Sequence, residues 1–324
     1  MASLLDRTYA AWSNRRLFFR HGWGDLSLLE EALREDEDSR PVRPVNPAWE
    51  NIREEGDALL KQGSFPSPFM HPALPVESRT AHVELVLPRE WNRQTPVCLH
   101  FAATGDEGFE RRRTALAFPL LQHGIGSLIL ENPYYGRRRP PGQHSKMLNL
   151  FTDLWLMAAA TIAEGRSLVD WLRREGFERL GVCGISMGGS MGARTAAMDP
   201  DPLAVTALIT PHSATAVFTE GLLKNYCAWD VLNRQLDGSG DALTRMREFL
   251  DHTDIRRLPP LPRPEAAFLV GARSDAYISR ESVEIVHRHW PGSTLTWVAS
   301  GHVGAFLFHR GLWVEAVRES FSRL

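Results

Sequence analysis

The sequence predicts an α/β protein whose mostly parallel, doubly wound sheet is flanked by helices. Short apolar runs alternate along the chain with longer segments of helical periodicity, and this alternation is typical of a parallel sheet. The predicted strands are 81–88, 96–102, 125–132, 179–186, 203–210, 266–272 and 294–300. The predicted helices are 107–123, 148–176, 187–198, 280–290 and 309–323.

Two segments fall outside this alternation. Residues 1–75 are predicted to form a helical extension that packs on the main α/β domain at 76–324. The extension contains an aromatic-rich helix, a charged and proline-rich loop, and a second short helix near Trp49 to Gln62. Residues 214–260 separate two strands by more than a simple crossover requires, and they predict a helical cap over the sheet.

Composition narrows the classes of function. The net charge of −2 argues against a nucleic-acid partner, which normally requires a strong basic excess. The three scattered cysteines give neither a disulfide framework nor a metal-ligand spacing, so no metal or other cofactor is expected. No signal peptide is visible, and the longest apolar run, 154–163, is too short to span a bilayer. We therefore expect a cytoplasmic protein.

A nucleophile motif lies where one predicted strand passes into a predicted helix. The residues from Gly184 through Ser186 to Gly188 match G-x-S-x-G at that junction. Glycines beside the serine permit a very tight turn and let the helix lie close to the sheet. The serine is then held out at the top of the sheet, near the positive end of the helix. The motif predicts Ser186 as a nucleophile.

The two residues needed to activate this serine follow it in the expected order. A serine hydroxyl is a poor nucleophile unless a base takes its proton and an acid orients that base. Asp275 follows the predicted strand 266–272, and His302 follows the strand 294–300. Because the carboxyl ends of parallel strands meet at one edge of a sheet, we expect Ser186, Asp275 and His302 to form a triad.

Backbone amides are expected to bind the negative charge of a tetrahedral intermediate. One is the N–H of Met187, which follows the nucleophile, and the other belongs to the loop after the strand 96–102. Small residues in that loop let an amide face the site. Ala103 is the favoured donor, with Ala102 as the alternative.

Several longer sequence motifs resemble those of a known family. They run from the N-terminal extension to the C-terminal helix and are far more specific than G-x-S-x-G: RHGWGD (20–25), HFAATGDEGFERRR (100–113), LILENPYYGRRRPPGQ (128–143), GISMGGSMGA (184–193), SATAVFTEG (213–221), SDAYISR (274–280) and WPGSTLTWVASGHVGAFLFHRGLW (290–313). In these phrases the chain resembles the α/β-hydrolase domain-containing protein 18 family. The resemblance implies an α/β-hydrolase fold and a serine hydrolase of ester type, with Ser186, Asp275 and His302 at the triad positions.

Two arginine clusters, Arg111–Arg113 and Arg137–Arg139, follow predicted strands on the same edge of the sheet. They either form a basic rim that attracts an anionic substrate or pair with nearby carboxylates such as Glu107. The stretch Trp12 to Trp23 is compatible with peripheral contact with a membrane, although such stretches more often pack on their own domain.

Together these features predict hydrolysis of a small-molecule acyl ester, a class that includes anionic and lipid esters. The same triad also supports thioesterase or peptidase chemistry. A non-catalytic binding scaffold of this fold would be expected to lack a triad member, and none is missing from the sequence.

Overall fold

A computed structural model of the chain describes residues 3–13, 15–34, 41–236, 238 and 240–324. Its centre is a nine-stranded sheet in the order β1-β2-β3-β5-β4-β6-β7-β8-β9. The strands are β1 Ala48–Glu55, β2 Ala58–Pro66, β3 Thr80–Pro88, β4 Val97–Phe101, β5 Gly126–Leu130, β6 Leu180–Ile185, β7 Ala204–Leu208, β8 Ala267–Ala272 and β9 Thr294–Val298. Strands β1, β2, β3 and β5 pair antiparallel in turn, and β5 to β9 are parallel in their spatial order. The predicted mostly parallel sheet is confirmed.

The helices cover both faces of this sheet. They are α1 Leu4–Ser13, α2 Leu26–Arg34, α3 Glu110–Arg112, α4 Phe118–Leu121, α5 Phe151–Arg174, α6 Met187–Ala197, α7 Trp229–Arg234, α8 Ala242–Leu250, α9 Arg280–His289, α10 His302–Phe308 and α11 Arg310–Ser322. One face of the sheet carries α5 and α6, and α11 packs on β7 and β8. Strands β4, β6, β7 and β8 are buried along their whole length, because helices exclude water from them on both sides.

The predicted helix near Trp49 to Gln62 is wrong. These residues form the antiparallel hairpin of β1 and β2, with Gly56 at a φ of +59° in the turn. Strand β1 is the edge of the sheet and exposes most of its charged side chains, which is how an edge strand avoids pairing with another chain. Where the structure describes the extension at 1–75, its α-helices are α1 and α2, and its second half continues the main sheet.

The order of the strands determines where a site can form. The chain moves from β4 outward to β5 and then returns to the other side of β4 for β6. Open α/β sheets bind ligands at such a reversal, in the crevice beyond the carboxyl ends of the strands. In this chain the crevice is bordered by the loop after β4 and by the turn between β6 and α6.

A second apolar cluster lies above this crevice and joins the N-terminal residues to the segment 214–260. Phe18, Phe19 and Trp23 are buried in it, and the Trp23 indole N–H donates a hydrogen bond of 2.9 Å to the carbonyl of Leu232 on α7. The Trp23 ring also meets the ring of Phe249 on α8. Most of the aromatic side chains between Trp12 and Trp23 thus pack on their own protein, while Trp12 itself remains 65% exposed.

Candidate active site

Ser186 occupies a strained turn between β6 and α6. Its backbone has a φ of 55° and a ψ of −119°, in a region that residues other than glycine rarely adopt. The neighbouring glycines are required by close contacts. A Cβ atom on Gly184 would lie 2.1 Å from the carbonyl carbon of Gly188, and one on Gly188 would lie 2.4 Å from the carbonyl oxygen of Phe101. The turn can therefore form only if these side chains are absent.

Asp275 and His302 are hydrogen-bonded to each other beyond the ends of β8 and β9. The Oδ2 atom of Asp275 lies 2.7 Å from Nδ1 of His302. The other carboxylate oxygen, Oδ1, accepts the backbone N–H groups of Tyr277 and Ile278 at 2.7 and 2.9 Å. These bonds fix the carboxylate. Because a carboxylate only accepts hydrogen bonds, the proton between the two groups is carried by Nδ1 of His302. The Nε2 atom is then free to accept a proton from another group.

The surroundings of His302 favour its charged form. Burial is the largest single influence and lowers the pKa of the imidazole. The negative charge of Asp275, the hydrogen bond to it and the charge of Asp6 act in the opposite direction. Together they outweigh burial and raise the pKa of His302 above its ordinary value of 6.5. Because only the neutral imidazole accepts a proton, this rise in the pKa moves the pH range in which His302 becomes a base upward.

Ser186 and His302 open into the same cavity, which has a volume of about 740 Å³. This size lies within the range of small-molecule sites. The cavity extends from the turn at Ser186 to the N-terminal helices, to α5 and to residues 214–260, the segment predicted to form a cap and called the cap segment below. Its walls are mostly apolar and include Tyr9, Leu29, Phe151, Leu154, Phe218 and Phe249.

Two of the three candidate amide donors, Met187 and Ala103, belong to residues that line this cavity. Met187 is the first residue of α6, whose first-turn amides have no partner within the helix. Ala103 lines the cavity, whereas Ala102 is fully buried. The backbone carbonyl of Ala102 is turned towards Gly188. These positions are compatible with Ala103 as the donor, and the choice between Ala103 and Ala102 stays a prediction. A contact of 3.7 Å between Thr104 Oγ1 and Met187 Sδ connects the loop after β4 with α6.

Three of the six arginines in the two clusters are held by internal contacts. Arg112 is buried with its Nε atom 2.9 Å from Oδ2 of Asp106, and Arg113 donates to both carboxylate oxygens of Glu84. Arg138 is fully buried against Glu164. Two more have partners of their own. Arg137 lies over the ring of Phe109, and Arg139 pairs with Glu107. Of these six arginines only Arg111 and Arg112 line the cavity, and Arg111 is the half-exposed one of the two.

Sequence reasoning missed three residues beside the site. The stem of Lys146 packs against Gly105 in the loop after β4, and its ammonium lies 5.3 Å from the centre of the Tyr9 ring. Burial, and secondarily the charge of Arg111, lowers the pKa of Lys146. The ring of Tyr277 lies 4.9 Å from that of His302. The third is Asp6, the only acidic residue of α1 (LLDRTYAAWS), and nothing in its sequence neighbourhood indicates a place at the site.

Other groups in the described residues bear on cofactors and compartments. No three His, Cys, Asp or Glu side chains among them lie close enough to hold a metal ion. Cys98, Cys183 and Cys227 are free and buried. None of the helices seen in the described ranges is long and apolar enough to cross a membrane.

Several solved esterases share the fold. The acetyl xylan esterase from Paenibacillus sp. R4 is 13% identical with a TM-score of 0.63, and the match covers 97% of this chain and 99% of that one. Acetyl Xylan Esterase 1 from Thermoanaerobacterium sp. JW/SL YS485 is also 13% identical, with a TM-score of 0.57 and coverages of 96% and 98%. A cold-adapted esterase from an Arctic intertidal metagenomic library is 17% identical with a TM-score of 0.54, covering 86% and 99%. At these identities the likeness is one of fold.

A family model gives a more specific match. The model of alpha/beta hydrolase domain containing 18 matches residues 16–242 and 237–323. These ranges include the turn at Ser186, the loop after β4, the cap segment and both residues of the Asp275–His302 pair. The chain belongs to the alpha/beta hydrolase domain containing 18 family of α/β-hydrolases.

Proposed function

We propose that the protein is a serine hydrolase that cleaves carboxylic acyl esters through an acyl-enzyme at Ser186. The observation that carries this proposal is the Asp275–His302 hydrogen bond of 2.7 Å, whose histidine opens into the same cavity as Ser186. An acid that orients a base, in a cavity that also contains a serine on a strained turn, is the arrangement that can activate a hydroxyl for attack.

The first half of the reaction forms the acyl-enzyme. The Ser186 Oγ attacks the ester carbonyl while Nε2 of His302 takes the hydroxyl proton. Asp275 stabilises the imidazolium that results, and its two backbone hydrogen bonds keep it in place. The amides of Met187 and Ala103 receive the oxyanion, and His302 then gives its proton to the departing alcohol.

The second half releases the acid. Water enters in place of the alcohol, and Nε2 of His302 removes a proton from it as it attacks the acyl carbonyl. Collapse of the second tetrahedral intermediate breaks the bond to Ser186 Oγ, and the serine recovers its proton from His302. No cofactor takes part in these steps.

The cavity supports an acyl substrate of small to medium size. Apolar side chains of α1, α2, α5 and the cap segment line most of it, so an acyl chain could leave water as it binds. We expect a polymer or a folded protein to be a poorer substrate, because this apolar lining suits a single acyl chain. Thioesters remain compatible with the same triad, and they form one arm of the test below.

Two cationic side chains in the cavity support the proposal that the substrate carries an anionic group. Lys146 and Arg111 both line the cavity that contains Ser186, and Lys146 lies against the loop that carries Ala103. Within the described part of the chain no carboxylate pairs with the Lys146 ammonium. A carboxylate or phosphate on the substrate would relieve both the desolvation of Lys146 and its repulsion by Arg111.

Exposed apolar side chains near the cavity support peripheral contact with a lipid surface. Helices α1 and α10 pack on each other, and both contribute residues to the cavity wall. Their exposed members include Leu4, Trp12 and Phe308, each at least 65% exposed. Lipid esters could enter the cavity from such a surface.

The proposed activity is tested with a panel of acyl esters that differ in chain length, together with a matched thioester and a peptide. We expect turnover of the esters by the wild-type protein and none by Ser186→Ala, whose loss should be about 10⁴- to 10⁶-fold in kcat. If the protein cleaves the thioester or the peptide in preference to every ester, the proposal of an esterase is wrong and the protein is a thioesterase or a peptidase. Absence of all turnover and of covalent labelling would leave a binding scaffold.

A further inference from the structure

The carboxylate of Asp6 lies buried between the two loops that carry Asp275 and His302. Asp6 belongs to α1, is fully buried, and accepts three backbone hydrogen bonds from residues more than 260 positions away. Its Oδ2 atom accepts the N–H of His302 at 2.9 Å and that of Ala276 at 3.0 Å. Its Oδ1 atom accepts the N–H of Val303 at 2.9 Å.

These three donors belong to the residues that determine the position of the acid and the base. Ala276 follows Asp275 directly, and His302 and Val303 begin α10. The residue before this helix is Gly301, which has no side chain to satisfy the first amides of α10. Asp6 supplies that cap from another part of the chain, and the same carboxylate fixes the loop of Asp275.

Close packing holds α1 in this place. The N–H of Ser3 donates to the carbonyl of Ser274 at 2.9 Å, beside Asp275. A Cβ atom on Gly301 would lie 2.3 Å from Cβ of Ser3 and 2.6 Å from Oδ2 of Asp6, so only glycine permits this approach. The start of the chain is thus in direct contact with both loops.

From these contacts we infer that Asp6 is a positioning residue for the Asp275–His302 pair, which makes the N-terminal helix α1 a working part of the active site. The inference rests on the proposed function. Asp6 touches no reacting atom, and it acts by holding the backbones of two loops in register. A shift of about 1 Å in either loop would misalign the histidine and cost about 100-fold in rate.

The charge of Asp6 gives this role a signature that packing alone would not produce. The charged groups that raise the pKa of His302 are Asp275, through the loop after β8, and Asp6, from α1. Tyr277 also faces the imidazole, but burial first, and the neighbouring acids next, raise the pKa of its hydroxyl far above neutrality. Removing the charge of Asp6 should therefore make His302 easier to deprotonate.

The test compares Asp6→Asn with the wild-type protein in the intact chain. An asparagine side chain has one acceptor atom in place of two, so at least one of the three amides loses its partner. We expect kcat on a chromogenic ester to fall about 10- to 100-fold with KM changed less than about threefold. The acid limb of the pH profile should move to lower pH. If Asp6→Asn does not fold, Asp6→Ser carries the same prediction, because a serine is smaller and equally uncharged.

The matched control is Ala10→Gly, which loosens the same helix at a buried position without touching the carboxylate. It should lower Tm while leaving kcat within about threefold and the acid limb unmoved. The inference is overturned if folded Asp6→Asn keeps kcat and its acid limb, or if Ala10→Gly loses as much activity with the same profile. Failure of the proposed function is distinguishable, because the wild-type protein would then neither cleave the esters nor react with a fluorophosphonate.

Discussion

Replacement of Asp275 by asparagine removes a charge at the centre of the site and changes the shape of the side chain very little. The backbone N–H groups of Tyr277 and Ile278 point at Oδ1 of Asp275 and require an acceptor there. The amide oxygen of an asparagine would take that place, and its NH₂ group would face Nδ1 of His302. The imidazole would then keep its proton on Nε2, where it cannot accept the proton of Ser186.

The size of the loss follows from the distance between the two groups. Unit charges 2.7 Å apart, the separation of Asp275 Oδ2 and His302 Nδ1, interact by about 6 kcal/mol at an effective dielectric constant of about 20. Since each factor of ten in rate corresponds to about 1.4 kcal/mol, we expect kcat to fall about 10⁴-fold. The wrong tautomer in the Ser-His-Asp triad of a serine protease costs a similar factor of about 10⁴.

The assay is kcat on a chromogenic ester, with Tm measured on the same preparation. The matched control is Asp254→Asn, because the Oδ2 atom of Asp254 lies 4.0 Å from Nε2 of His212, an acid–histidine pair whose histidine is not among the residues that line the cavity. Activity of the control should stay within about threefold. A fall of less than tenfold in folded Asp275→Asn would refute the role of Asp275 and would require another acid.

Three further outcomes are expected. The acid limb of kcat/KM should have its midpoint above 6.5, because the folded protein raises the pKa of His302 and only the deprotonated form accepts a proton; a midpoint below 6.5 in a pH–rate profile would contradict this. Val217→Phe adds bulk to the cavity wall and should reduce kcat/KM about tenfold more for long acyl chains than for short ones. Leu222→Phe is the control, because Leu222 does not line the cavity, and it should not change this preference. Equal losses on all esters would mean that the cap segment packs on the protein without selecting the acyl chain. Lys146→Gln should raise KM about tenfold for an ester that carries a carboxylate or phosphate and leave its neutral analogue unchanged; equal effects on both substrates would exclude an anion subsite there.

The central elements of the fold could be predicted because local pattern and topology agree there. Apolar runs such as 203–210 have the length and composition of buried strands, and the parallel sheet then brings residues that follow different strands to one edge. The positions of Asp275 and His302 beyond β8 and β9 follow from that rule alone. The distance between Asp275 and His302 does not follow from it, because that distance depends on the conformation of the loops that carry them.

The hairpin of β1 and β2 was missed because an edge strand need not look apolar. Half of its eight residues, AWENIREE, are charged, and their composition suggests a helix. The informative signal was the Gly56-Asp57 pair, a turn sequence flanked by residues that pair across it, starting with Glu55 and Ala58. Local propensity was overridden here by pairing with β3 through β2.

Asp6 could not be assigned from the sequence by any local argument. Its partners lie at Ala276, His302 and Val303, and nothing in the spacing of these residues indicates contact with α1. The choice between Ala102 and Ala103 cannot be made from the sequence either, because it depends on which backbone groups α6 covers. Both questions depend on tertiary packing.

The most direct measurement is the site of covalent reaction with a fluorophosphonate, identified by mass spectrometry of the intact protein and its peptides. The account predicts one equivalent of label on the peptide that contains Ser186, no label on Ser186→Ala, and loss of ester turnover in proportion to labelling. Ser190, which lies one turn further along α6 and also lines the cavity, provides the internal comparison. Label on Ser190 or elsewhere, or ester turnover that persists in fully labelled protein, would contradict the assignment of Ser186 as the nucleophile.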